Sequence, residues 1–392
     1  MTLMESNMNQ NKHILHPEEE ILFGNFQHGH DILLDIHNRI SGENSDVNIS
    51  YKMDGSPAIV FGYHPVTKKF FVGTKSVFNN KPKINYTIED ILENHGTNLK
   101  LMEILNICLE VLPDTIIDST GIYQGDVLFL DADKEYYVND IMFKSNTLNY
   151  QVNRDSIDYK KVHNALLGIA VHTKYIGETD SEYSLDGLKS EPFSCYDLLN
   201  SELVYIPRLY VNTNNVVLPS PMITKNYLGR AQLQYETLSD NEKALIVKHG
   251  LYLKMFYNYN IKNDLYNNFT EVGPTDYYEF LENQFDTTIS KYKTQKSIDK
   301  YTDIKNEHLS DVTNNSVVFM TLMLIYANIV NAKNFLVSSL NTAPSSMNQY
   351  INDESTGPEG YVACSKTGMS KLVHRHIFSK HNFITFQQKS NL

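Results

Sequence analysis

Short runs rich in β-branched and aromatic residues, set off by polar stretches, recur near the start of the chain. Val47–Met53, Ala58–Tyr63 and Phe70–Thr74 read as strands, with Pro65 marking the turn between the last two. Thr87-Ile88-Glu89-Asp90 then carries a helix start, and Leu99–Leu112 repeats its apolar positions at helical spacing. Gly121–Leu130 and Tyr136–Phe143 return to strand patterning around a turn at Asp131-Ala132-Asp133-Lys134. Leu166–His172 fits a strand or a buried helix. Residues 178–225 are polar and loop-rich, with short β-like runs such as Val204–Val211. Tyr227–Leu340 is mostly helical, with clear apolar spacing in Ala244–Phe256 and a buried helix over Val317–Leu340. Residues 345–358 read as a polar loop, and Glu359–Ala363 and Ser370–Val373 as two short strands. At the other end, residues 1–12 form a polar arm. His16-Pro17-Glu18-Glu19-Glu20 opens a helix whose apolar positions run from Ile21 to Ile40, with a break near Gly24 or Gly29. No internal repeat appears, and the mixture predicts an α+β protein.

Composition supports a folded chain. It has 392 residues, 41% hydrophobic and 20% charged, enough for one large domain or two to three ordinary ones. Cys108, Cys195 and Cys364 are far apart, which fits neither a disulfide framework nor a CxxC metal pattern and points to a reducing compartment. The first residues lack the apolar core of a signal peptide, and the longest apolar run, Val317–Val330, is short for a bilayer. The expectation is a soluble cytoplasmic protein without a membrane or an identifiable stable protein partner. His13, His16, His28, His30 and His37 lack a Cys or acid at ligand spacing and read as capping and surface residues. Asp131–Met142 fails as a calcium loop, since Tyr136 and Met142 stand where Gly and Glu are needed.

Net charge changes the picture less than its distribution. The total of −12 argues against a nucleic-acid binder. Yet Lys52 to Ile88 holds six lysines against one acid, and Gly360 to the end holds five Lys/Arg and no acid. Brought together, these segments make a positive site on an acidic body.

The same two segments hold the candidate chemistry. In Lys52-Met53-Asp54-Gly55-Ser56, a lysine precedes a tight Asp-Gly turn between β-rich runs. A lysine nucleophile needs a depressed pKa, an in-line α-phosphate, cations to neutralise phosphate charge, and carboxylates to hold metal and ribose. The motif resembles the nucleophile signature of the covalent nucleotidyltransferases: ATP-dependent DNA ligases, RNA ligases and mRNA capping enzymes. Pro358-Glu359-Gly360-Tyr361-Val362-Ala363 resembles that superfamily's fourth motif, in the form seen in phage-type RNA ligases. Ser370-Lys371-Leu372-Val373 resembles the fifth, where a lysine meets the α-phosphate. Thr74-Lys75-Ser76 and Gly125-Asp126-Val127-Leu128 are weaker matches to the motifs between, the latter with Asp126 where Glu is usual. The chain is also similar to phage and viral proteins that share KxDGSPA, GTKSxFN and a C-terminal stretch matched here by residues 371–383.

The resemblance implies an antiparallel-rich nucleotidyltransferase core, ATP-grasp-like in the manner of ligases, split by a large, mostly helical insertion. Residues 1–150 and 351–392 would form the core, and residues 151–350 an insertion that binds substrate. It implies that Lys52 is the nucleophile and that Asp54 and Gly55 shape the nucleotide pocket. Asp126 and Glu359 would serve metal or ribose, and Lys75, Lys371 and Arg375 would neutralise phosphates. The cofactors would be ATP and Mg²⁺ or Mn²⁺, and the partner a nucleic acid with 5′-phosphate and 3′-hydroxyl ends, RNA before DNA. ATP is expected over GTP because EGYVA is closer to ligases than to capping enzymes. The fifth motif departs from the usual pair of lysines, so the second cation would be Arg375 or Lys366. With so few residues after Phe383, a C-terminal OB domain is not expected, which would favour RNA ligases. Two other readings stand beside ligation: transfer of the nucleotide to a protein or small molecule, and a non-catalytic viral interaction protein on a ligase-like scaffold. No P-loop, HExxH, GxSxG or dinucleotide fingerprint is present.

Overall fold

The computed structural model describes residues 14–116, 121–185, 187–192, 198, 201–265, 271–351 and 354–378. The arm at 1–12, His13, Cys195 and residues 379–383 of the C-terminal stretch lie outside them. In chain order, α1 (Pro17–Glu20) and α2 (Phe26–Ile40) precede β1 (Asn48–Lys52), β2 (Ala58–Tyr63) and β3 (Phe70–Gly73). Next come α3 (Ile88–His95), α4 (Leu99–Val111), β4 (Ile122–Leu130), β5 (Lys134–Tyr136), β6 (Asp140–Lys144) and β7 (Asn149–Asn153). They are followed by α5 (Tyr159–Asn164), β8 (Leu167–Ile176), β9 (Lys189–Pro192) and β10 (Val204–Tyr205). The helical region is α6 (Pro221–Glu236), α7 (Asp240–Lys262), α8 (Pro274–Ile289), α9 (Gln295–Asn314) and α10 (Ser316–Leu340). The chain returns to strands in β11 (Asn348–Ile351), β12 (Glu354–Thr356), β13 (Gly360–Ser365) and β14 (Gly368–Val373). The protein is α+β, with mainly antiparallel sheets and a helical region.

Two compact units result. A sheet unit comprises Ser50–Val211 and Pro344–Glu359, and a helical unit comprises Met1–Ile49, Asn212–Ala343 and Gly360–Leu392. This differs from the expected division at 150 and 350. Residues 151–211 stay with the nucleophile motif because β8 pairs along nearly the whole of β4. Residues 1–49 and 360–392 go with the helices because α1, α2 and β14 pack on α10.

In the sheet unit, one sheet runs β10-β8-β4-β2-β3, with β9 beside β8. Alternation sends Ile59, Phe61, Tyr123, Val127, Ile169 and Val171 into one core with Leu105 and Cys108 of α4. Ala58, Asp126 and Ala170, which are paired across β2, β4 and β8, therefore fall on the opposite face. The second sheet, β12-β11-β7-β6-β5, is fully antiparallel. The loop expected over 345–358 is in fact the β11–β12 hairpin added to β7. Its strands pair through polar side chains, as where Tyr350 donates to Gln151 Oε1 at 2.6 Å, so no apolar alternation announces it. Lys134, read as a turn residue, is buried. Its ammonium donates to the Val162, His163 and Ala165 carbonyls at the end of α5 and pairs with Asp131.

In the helical unit, α10 is the core. It is long and apolar enough to cross a membrane, but 61% of that window is buried against its neighbours, as befits a central helix. Tyr326 of α10 stacks on Tyr257 of α7 with centroids 3.6 Å apart. The break after α1 comes at Gly24, which ends a 3₁₀ turn at φ +82°. Gly29 continues α2, where a Cβ would lie 2.3 Å from the Pro17 carbonyl oxygen. His16, His30 and His37 are buried, against the surface reading, while His28 pairs with Glu20. β13 and β14 form an antiparallel hairpin.

Candidate active site

Lys52 ends β1, and Glu359 is the residue before β13. Although 307 positions apart, they meet in the sheet unit with Lys52 Nζ 2.5 Å from Glu359 Oε1. The lysine side chain is about one-third exposed (33%), whereas Glu359 is nearly covered (6%). An ammonium reachable from solvent thus sits on a buried carboxylate. The other carboxylate oxygen, Glu359 Oε2, is buried with no hydrogen-bond partner. The Glu359 backbone N–H donates to Gln349 Oε1 on β11, which fixes the approach to the strand. Burial raises the pKa of Glu359; Lys52 opposes this, and the nearby Asp54 and Asp126 carboxylates add to it.

Asp54 plays a different part. Its carboxylate accepts the Thr147 N–H at 2.5 Å, the Leu148 N–H at 3.1 Å and the Asn146 side-chain amide at 3.1 Å. Its own backbone N–H donates to the buried Tyr150 hydroxyl at 2.8 Å. Held this way, Asp54 ties the turn after Lys52 to the loop between β6 and β7. Gly55 brings the same turn against β4. A Cβ there would lie 2.7 Å from Asp126 Cβ and 2.9 Å from the Val127 carbonyl oxygen, and the Ser56 N–H donates to that oxygen. Backbone cannot yield as a flexible side chain would, so Gly55→Ala is expected to destabilise the sheet unit by about 1–3 kcal/mol, measured by urea unfolding.

Asp126 stands on the open face of β4 with a quarter of its side chain exposed (27%), its Oδ2 3.4 Å from His172 Nε2. Sequence reasoning missed His172. Gln124 pairs with Thr173 and Gly125 with Val171, so His172 is the extra residue of a bulge in β8, the kind of irregularity that re-aims a side chain. Strand alternation carries no sign of a bulge, and only the adjoining run of polar residues from 172 to 174 hints that one face changes there. Gln349 was missed because it lies in the stretch read as a polar loop, and Asn146 and Tyr150 because no motif or pattern singles them out.

Lys75 follows β3 in a 3₁₀ turn capped by the Thr74 hydroxyl. Gly73 pairs with Val60, so the register carries Lys75 toward the end of the sheet where Ala58 pairs with Asp126. It is exposed and holds no ion pair or hydrogen bond among the described residues. The two C-terminal cations belong to the helical unit. Lys371 is on β14 opposite Val362, its backbone N–H bonded to the Leu15 carbonyl. Burial lowers the pKa of His16 and Lys371 adds to it, whereas burial raises that of Glu19 and Lys371 joins Arg375 and Lys254 in lowering it. Arg375 is buried, 3.4 Å from Glu19 Oε1, and donates to the Tyr326 hydroxyl and to Asn258. A guanidinium so enclosed and paired is unsuited to neutralising a phosphate, and the expectation for Arg375 is corrected accordingly. Lys366, the other choice for a second cation, is exposed and paired with Asp46.

A model described as "Family of unknown function (DUF6267)" matches residues 11–387. The chain belongs to this family. No curated protein and no solved structure matches the chain at a significant level. The DUF6267 match takes in Lys52, Asp54, Gly55, Asp126, His172 and Glu359, so the site is internal to the family's span.

A divalent cation fits the acidic part of this site. Glu359 Oε2 is a buried carboxylate oxygen without a donor, and the partly exposed Asp126 adds a second hard oxygen ligand. Asp54 is not available, because its oxygens already accept three hydrogen bonds.

Proposed function

We propose that the protein is an ATP-dependent nucleotidyltransferase of the ligase type, with RNA ends as acceptors. The observation that carries this reading is the pairing of Lys52 with Glu359 across 307 positions. The two residues come from the two motifs that most resemble the covalent nucleotidyltransferases. The proposed core is the sheet unit, with its antiparallel sheets standing for the nucleotidyltransferase scaffold.

In the reaction, neutral Lys52 Nζ attacks the α-phosphorus of ATP. The bond to the bridging oxygen breaks, pyrophosphate leaves with the electron pair, and the lysine is left as its AMP phosphoramide. Lys52 loses one proton before the attack and a second as the P–N bond forms, and these pass to Glu359 or to solvent. Burial makes that carboxylate a better proton acceptor than an exposed one. A divalent metal held by Glu359 and Asp126 would supply stabilisation of phosphate charge. Lys75 is available to the phosphates, and Asp54 and Gly55 keep the nucleophile's turn in place. A 5′-phosphate oxygen then displaces the lysine, and a 3′-hydroxyl displaces AMP, closing a phosphodiester.

The acid total of −12 favours a second acceptor class, a protein or small molecule, and one assay separates the two. Protein is incubated with α-labelled ATP and Mg²⁺, then offered 5′-phosphorylated single-stranded RNA, nicked duplex and protein acceptors. Sealed RNA supports the proposal. Label on protein acceptors with no sealed strands would replace ligation by the second reading, and no label on the chain itself would remove both.

Glu359 offers a stability test with a definite sign. Its folded pKa is raised, so the folded state holds the proton more tightly than the unfolded chain. Above the raised pKa, the ionised carboxylate works against folding, and this penalty fades as pH falls through the ordinary glutamate range. Glu359→Gln is therefore expected to melt higher than the parent at about pH 8 and to converge with it toward about pH 4, while losing most self-labelling by ATP. Thermal unfolding across pH, with labelling alongside, measures both.

A further inference from the structure

We propose that His249, His308 and Asp311 form a zinc-binding site joining α7 to α9 in the helical unit. The proposal is independent of Lys52 and its chemistry. Among the described residues, these three form the one group of metal-ligating side chains whose donor atoms all lie within 4.8 Å of one another. His249 Nε2 is 3.2 Å from Asp311 Oδ2 and 3.2 Å from His308 Nδ1. Tetrahedral zinc with bonds of about 2.0–2.1 Å sets its ligands about 3.3–3.4 Å apart, so the two separations from His249 are already close to what the ion would impose, and His308 and Asp311 lie within 4.8 Å of each other. His308 and Asp311 stand three apart on α9, which puts both on the side facing His249 of α7.

The surroundings match a metal site as well. His249 is fully buried, and its other ring nitrogen, Nδ1, lies 3.0 Å from the Tyr277 hydroxyl. A donor bond from Nδ1–H to that oxygen leaves Nε2 as a lone pair aimed at the other two donors, the usual support of a metal-bound histidine. Phe319 packs on His249 with centroids 5.0 Å apart, and Tyr252 and Phe285 flank His308. Asp311 is the one ligand with an outlet, at 22% exposure, so ions enter there and a water takes the fourth position. Two imidazoles and one carboxylate select a first-row divalent ion over Mg²⁺ or Ca²⁺.

One cation competes. Lys248 Nζ is 2.6 Å from Asp311 Oδ2 and 2.5 Å from Glu307 Oε1. It draws on the same carboxylate and repels an incoming ion, so it weakens the site without dismantling it.

The test is a titration of the full-length, chelator-dialysed protein with ZnCl₂ against a chromophoric chelator. The expected result is saturable binding of one zinc per chain. His249→Gln or His308→Gln should weaken binding more than about a hundredfold and Tyr277→Phe about tenfold. Lys248→Met leaves all three ligands intact and should tighten it roughly tenfold, which keeps the test decisive if the histidine variants fail to fold. Absence of one-to-one binding, binding indifferent to both histidine variants, or Lys248→Met leaving affinity unchanged or weaker would each reduce the cluster to a hydrogen-bond chain and overturn the proposal.

Discussion

Lys52→Ala is expected to lower self-labelling by α-labelled ATP by at least about a thousandfold, because no other group can stand in for a deleted nucleophile. The loss alone would not separate chemistry from folding. Removing Lys52 also takes the cation away from a carboxylate that is almost wholly covered, and the pKa of Glu359 then rises further, since Lys52 is what now lowers it. Lys52→Arg separates the two effects. An arginine keeps a positive charge against Glu359 but stays protonated and does not attack phosphorus. The arginine variant should unfold close to the parent in urea and still take no label, whereas the alanine variant should lose both label and some stability. Label that persists in either variant would place the nucleophile elsewhere.

The largest stability effect is expected in the helical unit. Lys333 of α10 and Glu18 of α1 form an ion pair with side chains 1% and 0% exposed. Burial depresses the Lys333 pKa, while Glu18 works to restore it. Lys333→Met removes one charge and leaves the other enclosed, and such half-pairs are destabilised by about 3–5 kcal/mol. The second Glu18 oxygen already lacks a partner, and Arg375, a second cation that acts on Glu18, is held by Glu19, Tyr326 and Asn258. Lys333→Met combined with Glu18→Gln should recover most of the loss, because neutralising both members relieves the desolvation that either charge suffers alone. Urea unfolding followed by far-UV circular dichroism, which reports mainly the helices of this unit, measures both variants. Additive losses in the double variant would mean that the two residues act separately.

How much of this could be seen in the sequence depended on whether side-chain pattern or partner choice decided the structure. Ala58–Tyr63 is a nearly unbroken apolar run because both faces of β2 are covered, and the run marked that strand to the residue. Thr87 and Asp90 form a capping box, which made α3 equally plain. The hairpin at 348–356 was hard to see because Ile351 is the one aliphatic residue in its two strands. His172 was invisible because a bulge, not alternation, aims it at Asp126. Arg375 misled in the opposite sense. Beside Lys371 in a basic segment it resembled a phosphate ligand, but Glu19, Asn258 and Tyr326 enclose it, and those partners are 49 to more than 300 positions away in the chain. The division into units eluded reading for the same reason, since it depends on β8 lying against β4 and on α1 and α2 lying against α10. At the site itself, Lys52 and Glu359 were both candidates from motif resemblance, and Gly55 carries a physical reason that a motif alone does not, the closeness of β4.

The central claim is that Lys52 takes a nucleotide, and peptide mapping tests it most directly. The purified chain is incubated with ATP and Mg²⁺, quenched, digested and examined by mass spectrometry. The account predicts the mass of one AMP less water on the peptide that contains Lys52, reversed when pyrophosphate is added before the quench. An unmodified Lys52 peptide under those conditions, or AMP carried on another residue, would contradict it.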